Sequence, residues 1–288
     1  MSYNVRVYKY PSGWQYRVYA PITGYPDHKH HVLNPDAKLR DDIYWDFEEE
    51  CWNHIECDPD KMWYNIFTME YERIPKMLKE PDPERSAKVS MNRTVNKVYH
   101  LSRSNVWEWF FTLTFNPEKV DSFDFDACQK KLTKWLDHLH RTAPDMKYMV
   151  VPEQHKSGRY HFHGLFAQMD GVHFIDSGHT TKDGDVIYNI GNYNLGFSTA
   201  TRVKDNAKVT KYITKYISKD MCAATKNRKR YWRSRNLNDV EPEEITLTSP
   251  QMQNMLEFLK ESCIYSKEVQ GEFLNVTYFE MEDENAEQ

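Results

Sequence analysis

The stretch between Trp109 and Lys219 constrains the fold most, because strand-like and helix-like patterns alternate along it in a definite order. Short aromatic and β-branched runs indicate core strands, and apolar residues that recur every three or four positions indicate amphipathic helices. The predicted segments are, in order, a strand at 109–115, a helix at 124–141, strands at 147–152, 160–167 and 197–203, and a helix at 206–219. This order predicts an α+β fold, a central antiparallel sheet with helices packed on one of its faces.

The segments on either side give weaker signals. Pro81-Asp82-Pro83 interrupts the pattern and is the best candidate for a domain boundary. The acidic segment 36–54 is predicted to be helical. We therefore expect an N-terminal accessory region of unknown role at 1–85, a central domain at 86–237 and an acidic C-terminal extension at 238–288. Two short strands are expected near the start, at 4–10 and 14–19.

Composition excludes several classes of protein. No run of 18 or more apolar residues occurs, and the first 20 residues lack the apolar stretch of a signal peptide, so we expect a cytoplasmic protein. The five cysteines are odd in number and scattered, which argues against a disulfide framework. The chain has no Gly-x-x-x-x-Gly-Lys-Ser/Thr phosphate loop, so we expect no helicase or ATPase domain in it.

The distribution of charge points to nucleic acid, although the formal net charge is -5. Between Thr201 and Arg235 there are twelve Lys and Arg against two Asp. Such a segment in an acidic protein can mark a phosphate-binding surface, but a solvated helical face explains the charge alone equally well. The candidate DNA-binding residues in it, cations for phosphate and aromatic rings for bases, are Lys208, Lys211, Arg230, Tyr231, Trp232, Arg233 and Arg235.

His161 and His163 form a pattern typical of metal ligands. Because side chains alternate along a strand, the two histidines share one face, about 7 Å apart. Glu153 ends the preceding strand, and a tight turn would place it across from the histidine pair. One carboxylate and two imidazoles leave open positions on a divalent ion, as catalytic sites do. An isolated His-x-His on a strand is more often incidental, and His155 is an alternative ligand nearer the turn.

Tyr212 and Tyr216 form a further pattern in the predicted helix 206–219. Four residues apart, they would lie on one face of that helix and reach the same cleft. Lys215 and Lys219 follow the two tyrosines at i+3, and their ammonium groups would favour the phenolate and bind phosphate. Taken alone, tyrosines and lysines at this spacing more often describe an ordinary amphipathic surface.

Together these residues resemble the HUH endonuclease superfamily, and within it the rolling-circle replication initiator (Rep) proteins of phages and plasmids of Gram-positive bacteria. Three family motifs occur in the family's order. They are a hydrophobic strand ending in Thr-Leu-Thr at 110–115, His-Phe-His at 161–163, and Tyr-x-x-Lys at 212–215 with a second tyrosine at 216. Each motif is modest singly, but their ordered combination is specific. The resemblance covers about 93–237, roughly half of the chain.

This resemblance implies the Rep nuclease fold, with a core like that of RNA-recognition domains, and a site-specific nickase for single-stranded DNA. A Mg²⁺ or Mn²⁺ ion held by Glu153, His161 and His163 would polarise the scissile phosphate. Tyr212 or Tyr216 would attack it, giving a 5′-phosphotyrosyl intermediate and a free 3′-OH that primes rolling-circle replication. The other tyrosine would serve when strands are rejoined. The residues leave open which tyrosine acts first, because each is followed by a lysine at i+3.

The resemblance also assigns supporting roles and partners. Lys215 and Lys219 would position the phosphate, and Thr112 and Thr114 would line the cleft. The partners would be single-stranded DNA at a replication origin, a host helicase and a host polymerase. One alternative is a relaxase or single-strand transposase of the same superfamily. The other is a non-catalytic origin-binding or single-strand-binding regulator, which would have no need of the carboxylate, the two histidines and the tyrosine pair.

Overall fold

A computed structural model describes residues 3–21, 43–46, 51–54, 63–65, 70–72, 83–218, 221–222, 225, 228–270 and 274–282. The strands, numbered along the chain, are β1 (Val5–Tyr10), β2 (Gly13–Pro21), β3 (Ile43–Asp46), β4 (Cys51–His54), β5 (Trp63–Asn65), β6 (Glu70–Glu72), β7 (Trp109–Leu113), β8 (Lys147–Gln154), β9 (Tyr160–Ala167), β10 (Phe174–Thr180), β11 (Val186–Ile190), β12 (Ser198–Arg202), β13 (Trp232–Arg233), β14 (Glu243–Ile245), β15 (Tyr265–Val269) and β16 (Leu274–Glu282). The helices are α1 (Pro83–Arg103), α2 (Phe125–Thr142), α3 (Asn206–Thr214) and α4 (Ser249–Ser262).

The chain divides into two compact units, residues 21–86 and the remainder. In the smaller unit, β3 pairs with β4 and β5 pairs with β6, both antiparallel. The predicted helix at 36–54 is therefore wrong where the structure describes this segment. Its residues Ile43, Tyr44 and Trp45 are β-branched or aromatic, and such residues fit a strand better than a helix.

A seven-stranded antiparallel sheet forms the centre of the larger unit, in the order β10-β11-β12-β7-β9-β8-β13. The predicted α+β class is confirmed, and the four predicted strands appear as β7, β8, β9 and β12 with ends shifted by a few residues. β8 and β9 form the expected hairpin, in which Gln154 pairs with Tyr160. β7 pairs with the other edge of β9.

Helices cover both faces of this sheet, whereas the sequence predicted one. α2 packs on the face that carries Phe111, Phe162 and Phe166. α1 and α3 pack on the opposite face, which carries Met149 and Leu165. The reason lies in β9, of which every residue except His161 is buried. A strand buried on both sides needs a layer of structure on each face.

A five-stranded sheet, in the order β14-β1-β2-β16-β15, forms a second layer in the larger unit. The predicted strands at 4–10 and 14–19 are confirmed as β1 and β2. Its core contains Val5, Val18, Leu259 and Phe279, so α4 packs against it. The first 20 residues thus group with 87–288, whereas the sequence assigned 1–85 to one region. The roles expected of the terminal regions stay predictions.

α1 contacts both sheets. Val98 and Leu101 pack into the core on the large sheet. His100 stacks on Tyr8 of the smaller sheet, with ring centroids 4.4 Å apart. Buried Arg103 forms an ion pair with Glu280 of the same sheet. No helix in the described part of the chain is long and apolar enough to cross a membrane.

Candidate active site

The residues of the three sequence motifs meet on the sheet face that α1 and α3 cover. Glu153 pairs directly with His161 in the β8–β9 ladder, as the sequence predicted. Thr112 pairs directly with His163 in the β7–β9 ladder. Directly opposite residues have Cβ atoms about 4.5–5.5 Å apart. The carboxylate, both imidazoles and the hydroxyl of Thr112 therefore form one compact patch.

His163 is the most firmly held member of this patch, being only 5% exposed. Its Nε2 lies 2.8 Å from Oε2 of Glu153, and its Nδ1 lies 3.2 Å from Oγ1 of Thr112. Burial lowers the pKa of His163, although Glu153 acts to raise it. A neutral imidazole here donates from Nε2 to the carboxylate and accepts at Nδ1. Because a hydroxyl can both donate and accept, Thr112 also fits the tautomer whose Nε2 is free to bind a metal.

His161 lies at the more open side of the patch. Burial lowers its pKa as well, and His155 and Arg159 act in the same direction, while Glu153 opposes them. Its ring stacks on His155, with centroids 5.5 Å apart. The neutral form of an imidazole is the form that binds metal ions. Both histidines therefore have the protonation state that a ligand needs.

Glu153, His161 and His163 together have the chemistry of a divalent-metal donor set. In this arrangement the carboxylate is occupied by its hydrogen bond with His163. Within the described ranges, no three His, Cys, Asp or Glu side chains converge on a single point. The donors could hold Mg²⁺ or Mn²⁺ through a small rearrangement, in which the carboxylate exchanges that hydrogen bond for the ion.

α3 carries Tyr212 but ends before Tyr216. Asp205 caps its start by accepting a hydrogen bond from the Lys208 backbone N–H at 2.9 Å. The helix ends at Thr214, so the predicted extent to residue 219 is wrong at this end. The Thr214 hydroxyl bonds to a backbone carbonyl of the last turn, which competes with continued helix. The next turn is tighter, with the Tyr216 N–H bonded three residues back.

Both tyrosines nevertheless reach the histidine patch. The Tyr216 ring stacks on His163 with centroids 3.7 Å apart and planes at 8°. Tyr212 meets Tyr216 edge-on at 5.4 Å. Burial, together with Tyr212 and Glu153, raises the pKa of Tyr216 well above its ordinary value. Tyr212 is 46% exposed and is therefore the tyrosine that a substrate meets first.

A groove of about 550 Å³ opens beside Tyr212. Its five cations are Arg202, Lys204, Lys208, Lys211 and Lys215. The first three lie within 4 Å of a carboxylate, on Glu108, Asp185 and Asp205 respectively. Lys211 and Lys215 instead lie over the rings of Tyr265 and Tyr212, at 4.7 and 5.7 Å. Neither forms an ion pair with any described residue, so both ammonium groups can take a phosphate.

The other candidate DNA-binding residues do not share this groove. Trp232 is 2% exposed and bonds to Thr133 through its indole N–H, so its predicted role in base stacking is wrong. The apolar ring is worth more in the core than at the surface. Arg230 donates to the hydroxyl of Ser90 at 2.8 Å and so ties its segment to α1. Tyr231 is half-buried against the same core.

The remaining candidates lie elsewhere. Arg233 and Arg235 are exposed at the β13 edge of the large sheet, well away from β12. Thr114 donates its hydroxyl hydrogen bond to the carbonyl of Phe197 rather than to a histidine. Lys219 lies outside the described residues.

Phe110 belongs to the site but was missed by the sequence reasoning. Its ring lies 5.9 Å from that of His163 and 5.4 Å from that of Tyr212. The alternation of side chains along β7 contained the signal, because Phe110 must face the same side as Thr112.

Comparison with protein families places these residues in a known context. Residues 108–221 match the model of a family of replication-associated proteins, the ORF2 family. The match spans less than half of the chain, but it includes every residue of the histidine and tyrosine patch. Comparison with curated proteins and with solved structures finds no significant match. The candidate site therefore lies in a segment similar to replication-associated proteins.

Proposed function

We propose that this protein is a replication initiator of the HUH type that nicks single-stranded origin DNA by tyrosine attack and rejoins strands at termination. The observation that carries the proposal is the packing of Tyr216 on His163, with Tyr212 against Tyr216. This contact joins the two halves of the expected chemistry, nucleophile and metal ligands. The similarity of 108–221 to replication-associated proteins supports the biological setting.

Tyr212 is the proposed nucleophile of the first cleavage. It is the more exposed tyrosine and lines the basic groove, whereas Tyr216 is half-buried and its raised pKa disfavours the phenolate. The Tyr212 oxygen bonds to phosphorus as the bond from phosphorus to the 3′ oxygen breaks. The 3′ oxygen takes up a proton and the phenol proton leaves to solvent. The products are a 5′-phosphotyrosyl enzyme and a free 3′-OH.

Other groups hold the scissile phosphate and its surroundings. A divalent ion bound by Glu153, His161 and His163 would supply Lewis-acid polarisation of that phosphate. Lys211 and Lys215 neutralise phosphate charge in the groove. In the same proposal Lys219 assists Lys215. Tyr216 serves the strand-joining step that closes the replication round.

The proposed partners follow from this activity. The DNA substrate is single-stranded at an origin, and a host helicase and polymerase act after the nick, as in phages and plasmids of Gram-positive bacteria. A second candidate function is a regulator that binds single-stranded DNA without cutting it. The basic groove supports that function equally well, so only the histidine and tyrosine patch separates the two.

The deciding experiment is detection of a covalent adduct. The full chain is incubated with Mn²⁺ and labelled single-stranded origin oligonucleotides, and a protein-linked product is sought on a denaturing gel. We expect an adduct on the 5′ end of one fragment, lost in the Tyr212→Phe, Tyr216→Phe double variant. His161→Ala should abolish cleavage, as should chelation of the metal. An adduct in the double variant would disprove the tyrosine assignment, and full His161→Ala activity with chelator would disprove the metal assignment.

A further inference from the structure

Phe123 is exposed in a position that normally buries an apolar side chain. It immediately precedes Asp124, the N-cap residue of α2. An apolar residue there commonly packs against the fourth residue of the helix, which is Cys128. Cys128 is fully buried, yet Phe123 is 56% exposed. The ring therefore contributes little to the core and remains available to a ligand.

Local hydrogen bonds fix Phe123 beside the histidine strand. Its backbone N–H donates to the Asp121 carboxylate at 3.0 Å. The carbonyl of Ser122 accepts from the Tyr160 N–H at 2.7 Å, one residue before His161. The Phe123 ring lies 3.5 Å from the position that a Cβ of Gly158 would occupy. An exposed ring held this firmly is preorganised for binding.

Arg159 adds a positive charge to this ring. Its guanidinium carbon lies 5.1 Å from the Phe123 ring centroid. It forms no ion pair with any residue in the described ranges. It is also near enough to His161 for its charge to lower the pKa of that histidine. An aromatic face for a base, with an adjacent cation for the backbone, is the combination that binds single-stranded nucleic acid.

We infer that Phe123 and Arg159 form a stacking site for one nucleotide of single-stranded DNA, next to the phosphate that the histidine patch holds. Phe123 stacks on the base and Arg159 binds the backbone. This inference rests on the proposed function, because it takes the histidine patch as the place of cleavage. It adds a contact on the side of the patch formed by the β8–β9 turn, away from the groove beside Tyr212.

The test measures binding apart from cleavage. A fluorescein-labelled thymidine 20-mer is titrated with the full chain in EDTA, and the dissociation constant is obtained from anisotropy. Loss of one stacked base weakens binding about 5- to 100-fold, so Phe123→Ala should show a loss of this size. Phe123→Trp should restore the affinity. The matched control is Phe258→Ala on α4, since Phe258 is similarly exposed at 54%; it should bind as the wild type does.

Two results would overturn the stacking site. One is equal affinity of Phe123→Ala and Phe258→Ala for the single strand. The other is an equal loss for Phe123→Ala on a duplex of the same length, since paired bases cannot stack on the ring. Failure of the proposed nickase would be seen separately, as a wild type that binds this oligonucleotide but never forms an adduct with origin DNA.

Discussion

The ring of Tyr216 lies flat on the imidazole of His163, with centroids 3.7 Å apart. His163 in turn hydrogen-bonds to Glu153, so a tyrosine, a histidine and a carboxylate form one connected unit. Tyr216 limits access of water to His163, and Tyr212 remains open to the groove. The two tyrosines therefore differ in environment although their sequence contexts are alike.

This difference predicts unequal effects of removing the two hydroxyls. Tyr216→Phe keeps the stacked ring, so the rate of the first cleavage should stay within about threefold of wild type. Tyr212→Phe removes the proposed nucleophile, and adduct formation should fall to background. The measurement is single-turnover adduct formation with a labelled oligonucleotide. The opposite result, an active Tyr212→Phe and an inactive Tyr216→Phe, would reverse the assignment.

Much of this site was predictable, because the information was local. The alternation along β9 and the tight turn before it fixed the positions of His161 and Glu153 correctly. The end of α3 was not predictable from spacing, since it depends on competition between the Thr214 hydroxyl and the helical hydrogen bonds. The burial of Trp232 was missed because its partners, among them Phe162, are distant in the sequence.

Thr112 should influence metal binding although it is not itself a ligand. Its hydroxyl lies 3.2 Å from Nδ1 of His163 and fixes the orientation of that ring. Loss of such a supporting hydrogen bond typically costs about 10- to 100-fold in metal affinity, so Thr112→Val should weaken Mn²⁺ binding by this factor. Isothermal titration calorimetry measures it. Thr114→Val is the control, because its hydroxyl bonds to a backbone carbonyl instead; equal affinities of the two variants would refute the role.

The groove lysines should determine the salt dependence of DNA binding. Each phosphate contact on a single strand contributes about -0.7 to the slope of log K against log salt concentration. Lys211→Ala or Lys215→Ala should therefore make the slope shallower by about 0.7, measured by anisotropy over a salt series. Lys134→Ala, an exposed position on the opposite face of the sheet, should leave the slope unchanged. A slope unaffected in all three variants would place the DNA elsewhere.

His100 should make the fold sensitive to acid. Burial, followed by the charge of Arg17, lowers the pKa of His100 to about 3. Its Nε2 lies 2.8 Å from the Arg17 guanidinium, which a protonated ring would repel. In the unfolded chain the pKa returns to about 6.5, so the unfolded state alone takes up the proton between these values. The free energy of unfolding should thus fall as pH drops below about 6.5, by at most about 1.4 kcal/mol per pH unit from this group.

Urea unfolding at pH 7, 6 and 5 measures this effect. His100→Gln has no titrating group, so its free energy of unfolding should depend less on pH than that of wild type. His138→Gln, at an exposed position on α2, should follow wild type. Identical pH profiles for wild type and His100→Gln would show that His100 is not the sensitive group.

The five-stranded sheet has a consequence for synthesis of the chain. Arg6 on β1 bonds to Glu244, 238 residues further on, and β2 lies between β1 and β16. During translation the first two strands therefore leave the ribosome long before the partners on either side of them exist. Closing so long a loop is slow, whereas the hairpin of β8 and β9 closes locally. The histidine-bearing strand can thus be paired while the amino-terminal strands still wait for the last part of the protein to be made.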